Sequence, residues 1–133
     1  MEFKAKYYLL NAANISQKLL PVSGESALKL KRILKDMLFD FQRRCEENDI
    51  TPFLVYGSAL GAYRHKGFIP WDDDVDIAIT REEWNRLKSI FEKVFSDKYD
   101  LEGPNYEEKD SLAVWGKIFL KGTRYIELVN MNT

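Results

Sequence analysis

The chain is short of several things that would have fixed its class at once. It has one cysteine, Cys45, so no disulfide can form within it, and a reducing, cytoplasmic setting is the default expectation. It has no uncharged apolar run of about 18 residues, so no transmembrane helix is expected. Its first residues, MEFKAKYYLLNAANIS, contain no long apolar stretch and no small-residue cleavage site of the secretory kind. Neither charge sign is in excess: 20 basic residues face 21 acidic ones, for a net charge of -1. No global field draws the chain to nucleic acid or to an anionic membrane, so any affinity for phosphate must be local. Internal repeats and low-complexity segments are absent.

What is present is a globular composition, 45% hydrophobic and 31% charged, in 133 residues. That length suits one domain. Residues 1–22 are weakly patterned and read as an N-terminal arm with a break at Pro21, leaving 23–133 as the core. Leu30, Ile33, Leu34, Met37, Leu38, Phe41 and Cys45 recur at three- and four-residue steps, which predicts a helix over roughly 24–48 with Cys45 on its buried stripe. A short apolar strand is predicted near 52–57, then one or two helical turns from Gly57-Ser58. Pro70 disfavours helix at Ile69.

The segment DVDIAI alternates, with Val75, Ile77 and Ile79 on one face and Asp74, Asp76 and Ala78 on the other, as a strand does. Thr80 and Glu83 form a capping-box pattern. The helix behind it carries Trp84, Leu87, Ile90, Phe91, Val94 and Phe95 at helical spacing, ending near Ser96. The stretch SLAVWGKIFLKGTRYIELVN predicts two strands about a Lys121-Gly122 turn. The expected architecture is α+β: a small mixed sheet with helices on one face.

The chemistry concentrates in PWDDDVDIAIT. Residues two apart in a strand share a face, so Asp74 and Asp76 would project together. Two carboxylates held that close repel unless a cation lies between them. Oxygen ligands suit a hard divalent ion such as Mg²⁺. A calcium loop is the competing pattern, because Asp72, Asp74, Asp76, Ile79 and Glu83 fall at ligand spacing. It fails where the loop needs glycine and the chain has Ile77, and KGFIPW cannot supply the incoming helix. Asp72 and Asp73 are read as supporting neighbours in the approaching loop. Upstream, Gly57 and Ser58 at a helix start offer free N–H groups and a hydroxyl, a phosphate-binding arrangement. Arg64 and His65 add positive charge in the intervening RHKG cluster, and Lys117 is a further cationic candidate. Trp71 reads as a core residue, with stacking on a base or sugar as the alternative.

The block YGSALGAYRHKGFIPWDDDVDIAI resembles the signature of the LicD family, which includes the fukutin-related proteins. The resemblance extends to CEEND, TREEW and WGKIFLKGTRYIE, roughly residues 25–130. It implies a nucleotidyltransferase fold with Gly57 and Ser58 on donor phosphates and Asp74 and Asp76 on Mg²⁺ (or Mn²⁺). The implied reaction moves a phospho-alcohol, such as phosphocholine or ribitol phosphate, from a CDP-linked donor to a hydroxyl of a glycan or lipid-linked glycan at the cell surface. Work at the inner face of the membrane, without a spanning segment, is implied too. Nucleic acid is not an expected partner. The family fold usually draws a third carboxylate from a later strand, and Glu127 is the one in-chain substitute before Thr133. The chain therefore reads as a truncated form. A nucleotide-binding module without turnover, or a nucleotidyltransferase using NTP, are the alternative readings.

Overall fold

The computed structural model describes residues 24–103 and 115–123. The predicted N-terminal arm, residues 1–22, and Glu127 lie outside the described residues. Helix α1, Gly24–Glu46, has Glu25 in its first turn and Arg43 and Arg44 in its last, each at the end its charge favours. It buries Phe41 and Cys45. Burial pushes the Cys45 thiol up to about 12, so it is an apolar packing group and not a thiolate, as its place on the stripe predicts. Beyond α1 the chain turns at Asp49 (φ 56°) and drives Ile50 into the core.

Strand β1, Phe53–Leu54, is followed at once by helix α2, Tyr56–His65. Strand β2, Ile77–Ala78, precedes helix α3, Arg81–Val94. Strands β3, Tyr99–Glu102, and β4, Lys117–Leu120, complete the described part. Among these residues the expected single mixed sheet is instead two antiparallel pairs. In one, Phe53 faces Ala78 and Leu54 faces Ile77. In the other, Tyr99 faces Leu120 and Glu102 faces Lys117. The α+β character holds. No helix among the described residues is long and apolar enough to cross a membrane.

Three differences from expectation have physical causes. The strand predicted over Asp74–Ile79 is only Ile77–Ala78, because α2 starts at Tyr56 and leaves no extended chain opposite Asp74. Strand β4 finds its partner upstream, in YDLE, where Tyr99 is buried and Leu101 half-buried between two acidic residues. That four-residue alternation is too short to stand out in a sequence. Trp71 is 77% exposed, since the turn closed by Asp72 N–H to Ile69 O puts Pro70 and Trp71 at its tip and buries Ile69 instead. The Lys121-Gly122 turn is present, with Gly122 at φ 78°, and the strand expected after it lies outside the described residues.

Helix α3 begins as TREE predicts: Thr80 Oγ1 accepts from Glu83 N–H at 3.2 Å and Glu83 Oε2 from Thr80 N–H at 2.8 Å. The other Glu83 oxygen accepts from Thr51 N–H at 2.8 Å, tying the entry of β1 to the start of α3. The core joins Phe41, Cys45, Ile50, Leu87, Phe91, Phe95 and Tyr99, with Phe91 and Phe95 stacked at 5.5 Å and Phe41 tilted on Phe95 at 5.4 Å. Ile77 and Ile79 pack against it, which anchors the acidic segment from its apolar side.

Asp40 on α1 ties this core at its rim. It accepts hydrogen bonds from Tyr99 Oη at 2.8 Å, Arg43 at 2.8 Å, Lys98 Nζ at 3.1 Å and Arg44 Nε at 3.1 Å. Burial opposes its ionisation, but these four donors prevail and hold the carboxyl well below the usual range. A carboxyl depressed in the folded state stabilises at pH above its unfolded value, here near 3.8, and loses that contribution as pH falls from there through its lower folded value. Asp40→Ala should therefore cost about 2 kcal/mol at pH 7. Urea midpoints for the two proteins should converge as pH falls below the carboxylate range, and a pH-independent difference would contradict this account.

Candidate functional site

Helix α2 starts without a side-chain cap. Val55, its N-cap, is extended (φ -131°, ψ 173°) and has no polar atom to offer the first N–H groups. Tyr56 follows at φ 46°, a left-handed conformation that costs a non-glycine residue about 1 kcal/mol or more. Strain of this kind persists where surrounding structure enforces it. Gly57 then meets the acidic loop so closely that a Cβ there would stand 2.9 Å from Asp72 Oδ2. Any larger residue would push Asp72 off the helix start.

Two hydrogen bonds lock the helix start to the acidic segment. Asp76 N–H donates to Ser58 Oγ at 2.8 Å, and Val55 N–H donates to Asp76 O at 3.1 Å. The predicted partners, Gly57-Ser58 and Asp76, are thus brought together across 18 positions of sequence. The Ser58 hydroxyl oxygen is occupied by this bond, and its proton is still available to a ligand.

The carboxylates crowd as the sequence predicts, although Asp74 lies in a bend ahead of β2 and not on the strand. Partial desolvation, then Asp76, Asp72 and Asp73, raise the Asp74 pKa; desolvation, then Asp72, raise that of Asp76. The like charge on both is Asp72, placed by its contact with Gly57. Sequence reasoning had given Asp72 a minor part, because the only signal for its position is the glycine it packs against. No cluster of three or more His, Cys, Asp or Glu with metal-holding geometry occurs among the described residues. A cation here would take one or two carboxylates and complete its shell with water and phosphate oxygens, the usual Mg²⁺ arrangement, so the donor set fits.

Other predicted residues fall further out. Arg64 and His65, both exposed, close the C-terminal end of α2, about 10 Å along the axis from Gly57. The helix thus does not bring them to its N-terminal end. Lys117 stands opposite Glu102 in the second ladder. A cation that the sequence did not single out is Lys31 of α1. Its Nζ donates to Ile69 O at 3.0 Å and Pro70 O at 2.7 Å, fastening the loop that delivers the aspartates. Nothing in its helical neighbourhood distinguishes it from other surface lysines.

A helix N-terminus locked to an aspartate segment can offer N–H groups to an anion and carboxylates to a hard cation. Residues 49–124, more than half of the chain, match the family described as LicD/FKTN/FKRP, nucleotidyltransferase domain, and the chain belongs to that family. Among curated relatives, the lipopolysaccharide cholinephosphotransferase LicD of Haemophilus influenzae is 40% identical over 62 residues, 47% of this chain and 23% of its own length. An uncharacterised protein of Rickettsia prowazekii is 39% identical over 69 residues, 52% of this chain and 24% of its own. Another, from Rickettsia typhi, is 34% identical over 90 residues, 68% and 27%. The aligned part spans about a quarter of the length of these relatives. No solved structure matches.

An acid whose pKa is raised by folding destabilises the folded state at pH values above its unfolded pKa, and the penalty fades as pH falls toward it. Asp74→Asn and Asp76→Asn should each raise the melting temperature slightly in EDTA at neutral pH, with the gain shrinking toward pH 4. Mg²⁺ should stabilise the wild type by mass action and the variants little or not at all. Equal Mg²⁺ stabilisation of wild type and either variant, read by calorimetry, would remove that residue from the site.

Proposed function

We propose that this chain carries the donor site of a LicD-type transferase. That transferase moves phosphocholine or a similar phospho-alcohol from a CDP-linked donor to a hydroxyl of a cell-surface glycan or its lipid-linked precursor. The observation that carries the reading is the Ser58–Asp76 hydrogen bond, which fuses an uncapped helix start to a crowded carboxylate segment. Family membership and the cholinephosphotransferase named among the relatives support the choice of phosphocholine.

In this reading the N–H groups at the start of α2 and the Ser58 hydroxyl donate to pyrophosphate oxygens. Asp74 and Asp76 hold Mg²⁺ or Mn²⁺, which when bound neutralises charge on the phosphoryl oxygens. Gly57 keeps the backbone low enough for the phosphates to approach, and Asp72 crowds the pair so that a cation is favoured. The acceptor hydroxyl attacks the phosphorus that bears the alcohol, the P–O bond to the CMP phosphate breaks, and CMP leaves with the electron pair. The hydroxyl proton passes to solvent water as the new phosphodiester forms. Positioning and charge stabilisation supply most of the acceleration, as in other phosphoryl transfers.

The test uses the chain with Mg²⁺, CDP-choline or CDP-ribitol, and glycan acceptors, with nucleotides separated chromatographically. Mg²⁺-dependent CMP release is expected, and Asp76→Asn should lower it about 100-fold or more. Donor binding without CMP release would favour the module that holds nucleotide without turnover. Pyrophosphate release from an NTP would make the chain a nucleotidyltransferase proper.

A further inference from the structure

Two aromatic residues flank this site and have no part in the reading above. Tyr56 immediately precedes Gly57 and is 66% exposed; Trp115 precedes β4 and is 65% exposed. Their rings stand edge to face, centroids 5.9 Å apart, with planes at 74°. Large apolar rings are normally placed to lose water, and these keep most of their surface in it while meeting almost at right angles. The corner so formed presents two π faces, and π faces attract cations.

Neither ring sits there by default. Tyr56 adopts φ 46°, where tyrosine is disfavoured and glycine would be comfortable. Trp115 is set by Gly116, where a Cβ would lie 2.6 Å from Trp84 Cη2, so the backbone beside Trp115 passes directly under the Trp84 indole. Continuity with the acidic loop is direct: Trp115 touches Tyr56, Tyr56 is bonded to Gly57, and Gly57 abuts Asp72.

We infer that Tyr56 and Trp115 form two walls of a subsite for a quaternary ammonium group, the head of a choline-type phospho-alcohol. This rests on the donor reading above and specifies which alcohol the site prefers. A flat uncharged base could also stack on one ring. Two rings at 74°, next in the chain to the glycine that Asp72 abuts, favour a compact cation over a planar neutral group, because both the ring quadrupoles and a neighbouring carboxylate attract positive charge. An ammonium without methyl groups would lose apolar contact with the rings, and a neutral alcohol would lose the charge attraction.

The experiment compares binding of phosphocholine with that of its uncharged isostere, 3,3-dimethylbutyl phosphate, by calorimetry on the chain with Mg²⁺ present. CMP binding is measured in parallel. Phosphocholine should bind about 5- to 30-fold more tightly than the isostere. Trp115→Leu should erase that preference and leave CMP affinity within about twofold, and Trp115→Phe should restore part of it. Tyr56→Gly removes a ring and a strained φ together. It should reduce the preference while the melting temperature holds or rises, an outcome that a merely structural tyrosine would not give.

Equal affinity for phosphocholine and the isostere, or no binding of either, overturns the inference. So does a Trp115→Leu loss that falls equally on CMP, which would make the corner a base site. CMP binding and Mg²⁺-dependent turnover that persist in any of these cases would leave the donor reading standing alone.

Discussion

The backbone of Asp76 is gripped from two directions, and the candidate site depends on that grip. Its N–H donates to the Ser58 hydroxyl and its carbonyl accepts from Val55 N–H. Val55 is the N-cap of α2 and Ser58 lies in the helix's first turn. The positive end of the helix is thereby joined to a run of carboxylates that would otherwise repel one another apart. The ladder beneath this joint is slight, two residues on each strand. Its permanence comes from elsewhere: Ile77 and Ile79 embedded against the core, Glu83 bonding both Thr51 and Thr80, and Lys31 holding the loop carbonyls of Ile69 and Pro70. Each of these reaches the acidic segment from a different element, so the segment keeps its shape although its own charges oppose it.

The protein is electrostatically divided. At the rim of the core, Asp40 collects four donors and is held ionised, a carboxylate satisfied by its own chain. At the other site, Asp74 and Asp76 have no comparable donors among the described residues, and desolvation followed by neighbouring carboxylates pushes their pKa up. The first arrangement strengthens the fold. The second weakens it, and in the function proposed above a divalent cation would supply the opposite charge. Functional sites commonly store unfavourable energy of this kind, and the left-handed Tyr56 beside Gly57 adds conformational strain at the same place.

Much of this could be read from the sequence, for identifiable reasons. Helix α1 announces itself through seven apolar residues in register, and α3 through a capping box that the structure reproduces bond for bond. That Gly57-Ser58 would meet Asp76 was legible only from the two motifs together, since a Gly-Ser pair alone more often marks an ordinary turn. The extent of β2 was not legible, since strand length depends on what lies opposite, and α2 takes that chain away. Strand β3 was missed because YDLE shows its alternation for only four residues. Asp72 and Lys31 act through contacts 15 and 38 positions away, to Gly57 and Ile69. Local pattern carries no record of such contacts.

The central claim is that a divalent cation binds where the α2 start meets Asp74 and Asp76. Adding substoichiometric Mn²⁺ to the isotopically labelled chain and recording backbone amide spectra tests it most directly, because paramagnetic broadening falls off steeply with distance. The account predicts early loss of the Gly57, Ser58, Asp74 and Asp76 amide signals, reversed by excess Mg²⁺, with Asp40 and Asp97 signals unaffected. Broadening centred on another acidic region, such as Glu46 to Asp49, with the Gly57 and Asp76 signals intact, would contradict it.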